Sequence, residues 1–190
     1  SLNGRSFTSL DPVRWTPWGT LVIGEETTAG RLIEIANPLA DPAALQVYDR
    51  PNVGRSSFEG WAWDAQGNFY YQDENNNGGI YKFVPNNPAA NYDPNDPSTS
   101  PFAGTGQIFT LRINAADTEQ REGAGEWVAL NNADGTPIPG IPDPTIDVRA
   151  AGDAVNATNY RRPEDMHLVT HDGVAYLIVP GTTPDNGTDR

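Results

Sequence analysis

An all-β architecture of the β-propeller type is the fold class this sequence predicts, and three observations carry it. Short runs rich in β-branched and aromatic residues recur along the 190 residues, each closed by glycine, proline or asparagine. Those runs follow the order strand, D-x-x-G turn, strand, loop, strand, which is the rhythm of a propeller blade. Glycine (19) and proline (17) are abundant but dispersed among the apolar runs, so they read as turns within a folded domain and not as a disordered tract.

In chain order, residues 20–24 form a short buried-type strand. Gly30 turns the chain, and residues 31–35 alternate as a partner strand does. Residues 37–54 read as a proline-rich connection. The clearest β pattern runs from 55 to 85: strand 60–64, the turn Asp64-Ala-Gln-Gly67, strand 68–72, a polar loop from Asp73 to Gly79, and strand 79–84. An Asn/Pro/Asp/Ser loop (86–101) leads to a strand over 106–113, and 131–146 is again Pro/Gly-rich. Residues 145–156 read as one short helix, with Thr145 as N-cap and Asp147 in the first turn. The blade rhythm returns over 167–179, with a His171-Asp-Gly173 turn. This makes two to three blades, whereas a closed propeller has four or more. Residues 1–190 are therefore expected to be one propeller-like domain, a fragment or processed piece of a longer chain. The missing initial Met and the turn-like ending at Asp189-Arg190 feed the same expectation.

The formal net charge is −13, from 25 acidic against 12 basic residues, and Lys82 is the only lysine. A surface this acidic repels nucleic acid and anionic lipid. It attracts cations, calcium above all, because hard divalent ions prefer carboxylate and carbonyl oxygen. The chain has no cysteine, which excludes disulfides, thiolate nucleophiles and cysteine-based zinc or iron–sulfur sites. No apolar run approaches the ~18 residues of a membrane span.

Four acidic clusters carry the candidate chemistry: Glu25-Glu26 at the end of the first strand, Glu59 before Trp61, Asp73-Glu74 opening the Asn-rich loop, and Glu164-Asp165. Each acid taken singly is more often a solvated cap. Taken together they matter, because propeller strand ends meet at a central mouth, where crowded carboxylates raise each other's pKa unless a cation joins them. Asp73-Glu-Asn75-Asn-Asn77-Gly78 matches the opening of a calcium loop, but the EF-hand closing position falls on Val84, which excludes an EF-hand. A β-type calcium loop and a plain Asn/Gly turn both remain. Arg161-Arg162-Pro163-Glu164-Asp165 sets guanidinium beside carboxylate, either as a phosphate-binding pair or as a surface ion pair. His167 and His171 lie in a strand–turn context that makes no helical zinc face. There is no nucleophile elbow. Asn156 and Asn186 open weak glycosylation sequons, and the tryptophans read mainly as blade packing.

Several of these segments, in order over residues 15–180, resemble the PhoX family of bacterial alkaline phosphatases. Thr16-Pro-Trp-Gly-Thr20 with Glu25-Glu26 resembles its PWGT…EE segment, and Ser57-Phe-Glu-Gly60 its H-E-G segment. Tyr70 to Glu74 with Ile80 to Pro85, Gly106 to Leu111, and Tyr160 to Asp165 are similar to three further family segments. The resemblance implies a metal-dependent phosphomonoesterase on a β-propeller, exported to the periplasm or beyond, with iron and calcium at the mouth. By carry-over, Glu25, Glu26, Glu59, Asp73 and Glu164 would be metal ligands. Arg162 and Glu164 would be the catalytic pair, Arg162 contacting the phosphate of a small phosphate ester. Gly24 stands where the family has its iron-binding cysteine, and Phe58 where it has histidine. An iron site thereby loses its thiolate, while an oxygen-ligand calcium site survives. The alternative reading is a non-catalytic, calcium-stabilised propeller acting as a surface or assembly module; a third is another metal-dependent propeller hydrolase such as a lactonase.

Overall fold

A computed structural model describes residues 1–113 and 124–181 of the chain. The Asn186 sequon and the end of the chain lie outside the described residues. Antiparallel strands dominate. β1 (Leu10–Trp15), β2 (Leu21–Glu25), β3 (Leu32–Ile35) and β4 (Val47–Asp49) form a four-stranded meander. β5 (Phe58–Trp63), β6 (Phe69–Asp73), β7 (Ile80–Pro85), β8 (Gly106–Ile113) and β9 (Gly125–Ala129) form a five-stranded one. β10 (His167–His171) and β11 (Val174–Ile178) pair as a hairpin. Among the described residues no helix is long and apolar enough to cross a membrane.

The three sheets stack face to face, as blades do. Alternation along β6 sends Phe69 and Tyr71 to one side and Tyr70 to the other. Phe69, Tyr71, Tyr81, Phe83 and Ile108 meet Val22 and Leu32 of the first sheet in the larger core. Ile80 and Ala62, with Tyr70 and Leu111, meet Met166, Leu168 and Leu177 in the smaller one. Stacked rings run through the larger core, with Phe69–Tyr71 and Tyr71–Tyr81 centroids each 5.4 Å apart. The innermost strands β1, β5 and β10 lie side by side in that order.

The first two blades repeat at one constant offset along the chain. Glu26 N–H donates to Ser9 O and Glu74 N–H to Ser57 O; Glu25 N–H donates to Arg31 O and Asp73 N–H to Gly79 O. Leu10 pairs with Glu25 as Phe58 pairs with Asp73, and each inner strand then slips register, before Val13 and before Trp61. Such bulges re-aim a side chain next to a site, and the residues they carry include Asp11 and Glu59.

Three strands escape the sequence pattern. β1 contains Pro12, which argues against a central strand and is tolerated at a sheet edge or bulge. β4 is only three residues long, inside what reads as a proline-rich connection. β9 shows no alternation, with both Gly125 and Glu126 exposed. The helix is shorter than residues 145–156: α1 spans Val148–Ala154. Its N-cap is Asp147, whose carboxylate accepts from Arg149 and Ala150 N–H, while the Thr145 hydroxyl donates to Asp143. Aspartate caps well, because its acceptor meets two N–H groups that have no partner within the helix.

Candidate functional site

Adjacent residues at a strand end point to opposite sides, and this rule divides the acid pairs. Glu25 is fully buried, and its two oxygens accept from Arg31 Nε (2.8 Å) and Nη2 (2.7 Å) and from the Thr8 and Arg31 backbone N–H groups. Burial pushes its pKa up, but the Arg31 and backbone hydrogen bonds outweigh it and hold the carboxyl below its ordinary value. Asp73 is likewise buried and taken up by Arg149 Nε (2.5 Å) and Nη2 (2.9 Å) and by Ser57 N–H (2.9 Å). Expected among the metal ligands, Glu25 and Asp73 are placed instead in closed ion pairs inside the blades. The Asp73-to-Gly78 loop is a turn closed by Asn75 N–H to Asp73 O and Gly78 N–H to Asn75 O. Its first carboxylate belongs to Arg149.

Their neighbours converge. Asp11 on β1, Glu26 just after β2 and Glu59 on β5 each bring an oxygen within 4.8 Å of the others. Glu74, the second-blade counterpart of Glu26, hydrogen-bonds to it, and Glu164 acts on Glu59 through its charge. Three carboxylates from the first two blades therefore converge, with Glu74 and Glu164 close enough to act on them. Hydrogen bonding to Glu74, then burial, then the charges of Glu74 and Asp11 push Glu26 up to about 7. Burial first, then Asp11, Glu74, Glu164 and Glu26, push Glu59 up to about 7. Glu59 Oε2 is buried with no hydrogen-bond partner among the described residues.

Arg162 closes one side. Its Nε donates to Glu74 Oε1 at 2.8 Å, its Nη2 also meets Glu74, and Glu164 lies at 4.0 Å. Its backbone is left-handed (φ 41°), and its N–H bonds to Asn75 O. The side chain is half exposed, with its Nε and Nη2 both taken by Glu74. His167 pairs with Asp165 and His171 with Asp172, both exposed, and neither belongs to the cluster.

The donor set is entirely carboxylate, which suits a hard divalent cation of the calcium kind. A thiolate has no place here. The chain has no cysteine, and a Cβ built on Gly24 would lie 2.6 Å from Phe58 Cβ. Sequence reading missed Asp11 and took Asp73 over Glu74. The signal that finds both is the blade repeat: Asp11 precedes Glu25-Glu26 by the same interval as Glu59 precedes Asp73-Glu74.

A pH dependence follows for the cation-free protein. Glu26 and Glu59, raised from 4.5 to about 7, hold protons in the folded state at pH values where the unfolded chain has released them. Stability is therefore greatest at the acid end of that window and falls as pH rises through about 7. Melting in chelator should occur at lower temperature at about pH 8 than at about pH 6, with a smaller drop in Glu59→Gln, which lacks one of the two titrations. Equal slopes in the two proteins would refute the assignment.

Face-stacked antiparallel blades with acids gathered at the inner strands define a propeller-like protein. The chain belongs to the alkaline phosphatase PhoX family, whose sequence profile matches residues 30–183. Among solved structures it is similar to Pseudomonas fluorescens PhoX in complex with vanadate, a transition state analogue, with a TM-score of 0.65 and 21% identity. That likeness covers 87% of this chain and 38% of the other, and it establishes the fold. No curated protein matches the chain.

Proposed function

We infer that this chain supplies the cation- and phosphate-binding wall of a metal-dependent phosphomonoesterase that acts outside the cytoplasm, in the periplasm or beyond. The observation that carries the reading is the meeting of Asp11, Glu26 and Glu59 beside Arg162 at one mouth. These three, with Glu74 and Glu164 behind them, would hold calcium, as oxygen-only donors favour. The bound cation supplies neutralisation of charge on the phosphoryl oxygens. Arg162, held by Glu74 through Nε and Nη2, would offer its remaining guanidinium N–H groups to a phosphate oxygen. Glu26 and Glu59 hold protons near neutrality and give them up when a cation takes their place. Glu164 stands beside both Glu59 and Arg162, where it links the cation side to the phosphate side.

Hydrolysis of p-nitrophenyl phosphate by the purified protein with added calcium is expected. It should vanish on chelation and fall about 100-fold or more in Arg162→Ala. Turnover equal to that of Glu164→Gln would sink the catalytic reading. One observation favours the non-catalytic alternative: Gly24, where the resemblance implies an iron-binding thiolate, offers no ligand, and a Cβ there would lie 2.6 Å from Phe58 Cβ. Stabilisation by calcium with no turnover of phosphate esters or lactones would select it.

A further inference from the structure

Arg14 lies three residues after Asp11 on β1 and reaches across both neighbouring blades. Its Nη1 donates to Trp61 O at 2.7 Å and to Met166 O at 3.3 Å, and its Nη2 meets Asp165 Oδ1 at 3.3 Å. Trp61 follows Glu59 by two residues, and Asp165 and Met166 follow Glu164 directly. One guanidinium therefore joins the backbone segments that carry Asp11, Glu59 and Glu164, three acids of the mouth from three different blades. Those segments approach closely. A Cβ added to Gly60 would lie 2.2 Å from Met166 N, so the second and third inner segments touch backbone to backbone. Arg14 bonds both of them to β1.

We propose that Arg14 is the positioning residue of the carboxylate cluster, holding Asp11, Glu59 and Glu164 at the separation that a divalent cation requires. The inference rests on the cation reading above. The ion pair with Asp165 is open to solvent and contributes little by itself. What the fork contributes is geometry: its donors are fixed in one plane, and two of its acceptors are main-chain carbonyls on separate blades. Partners that orient metal ligands without touching the ion commonly govern affinity by roughly 10–100-fold.

Calcium titration calorimetry on the full chain, paired with melting in chelator, separates positioning from mere structure. Arg14→Ala and Arg14→Lys should both remain folded by circular dichroism and bind calcium roughly 10–100-fold more weakly, Lys the less affected. Arg55→Ala is the comparator, because its bidentate pair with Asp49 (2.6 and 2.8 Å) is less exposed than the Arg14–Asp165 pair, so its loss should cost at least as much stability, and it lies outside the cluster. It should lower the melting temperature and keep calcium affinity. Wild-type affinity in Arg14→Lys and Arg14→Ala, or in whichever of them folds, overturns the proposal while the cation reading stands. No calcium binding by the wild-type protein overturns both.

Discussion

Replacing Glu34 by alanine is expected to destabilise the fold by about 3–5 kcal/mol, as removal of one partner from a buried ion pair does. Glu34 on β3 is fully buried. Its oxygens accept from Arg50 Nε (2.7 Å), Trp18 Nε1 (3.0 Å), the Thr20 hydroxyl (2.6 Å) and the Ser100 hydroxyl (2.8 Å). Arg50 is itself buried under the Tyr48 ring and donates onward to Pro97 O. One carboxylate thus ties the first blade to the long loop after β7. Alanine would leave the buried Arg50 guanidinium without its counter-charge and the Trp18 Nε1–H and Ser100 hydroxyl without their acceptor, and each such group is costly. Against a total stability of about 5–15 kcal/mol the loss is large. Urea unfolding measures it, with Glu126→Ala as reference, since the Glu126–Arg112 pair is largely exposed and contributes only about 0–1 kcal/mol. Equal losses in the two variants would show that Arg50 relaxes to solvent and that the buried hub is not what holds the loop.

The second large effect inverts the usual sign of a site mutation. At about pH 8, where Glu59 has released its proton, Glu59→Gln should raise the melting temperature of the cation-free protein, because it removes one charge from the Asp11–Glu26–Glu59 group, the one such group found among the described residues. The same variant should lose its response to calcium. For the wild-type protein, calcium at about 100 times its dissociation constant adds about 2.7 kcal/mol. For a chain of this size that corresponds to a rise of roughly 5–11 °C. Glu25→Gln and Asp73→Asn should do the reverse. Each breaks a buried ion pair and lowers the melting temperature, and each keeps the calcium shift, because neither carboxylate faces the mouth. Loss of the shift in Asp73→Asn together with its retention in Glu59→Gln would move the site to the other side of the strand ends.

Much of the fold was legible in the sequence because it is local. Alternation and turn chemistry locate β2, β3, β5, β6, β7, β8 and the β10–β11 hairpin to within a residue or two. The misses have local causes as well. Pro12 disguises an edge strand, β4 is too short to alternate, and Asp143 draws the Thr145 hydroxyl away while Asp147 takes the cap. The site was half legible. The acid pairs at strand ends are visible as pairs, but a pair does not say which member faces the mouth.

The sequence by itself determined the strand periodicity, the turn positions, the absence of thiol donors and the acidic pairs at blade ends, since all of these follow from composition and neighbours along the chain. Only the tertiary structure decided that Glu26, Glu59 and Asp11 meet while Glu25 and Asp73 are withdrawn. That choice depends on partners far along the chain. Arg149 reaches Asp73 from 76 residues away, and Arg14 reaches Met166 across 152. A period of two fixes that neighbouring side chains part company, and blade-on-blade packing fixes which of them finds a guanidinium and which is left facing other carboxylates.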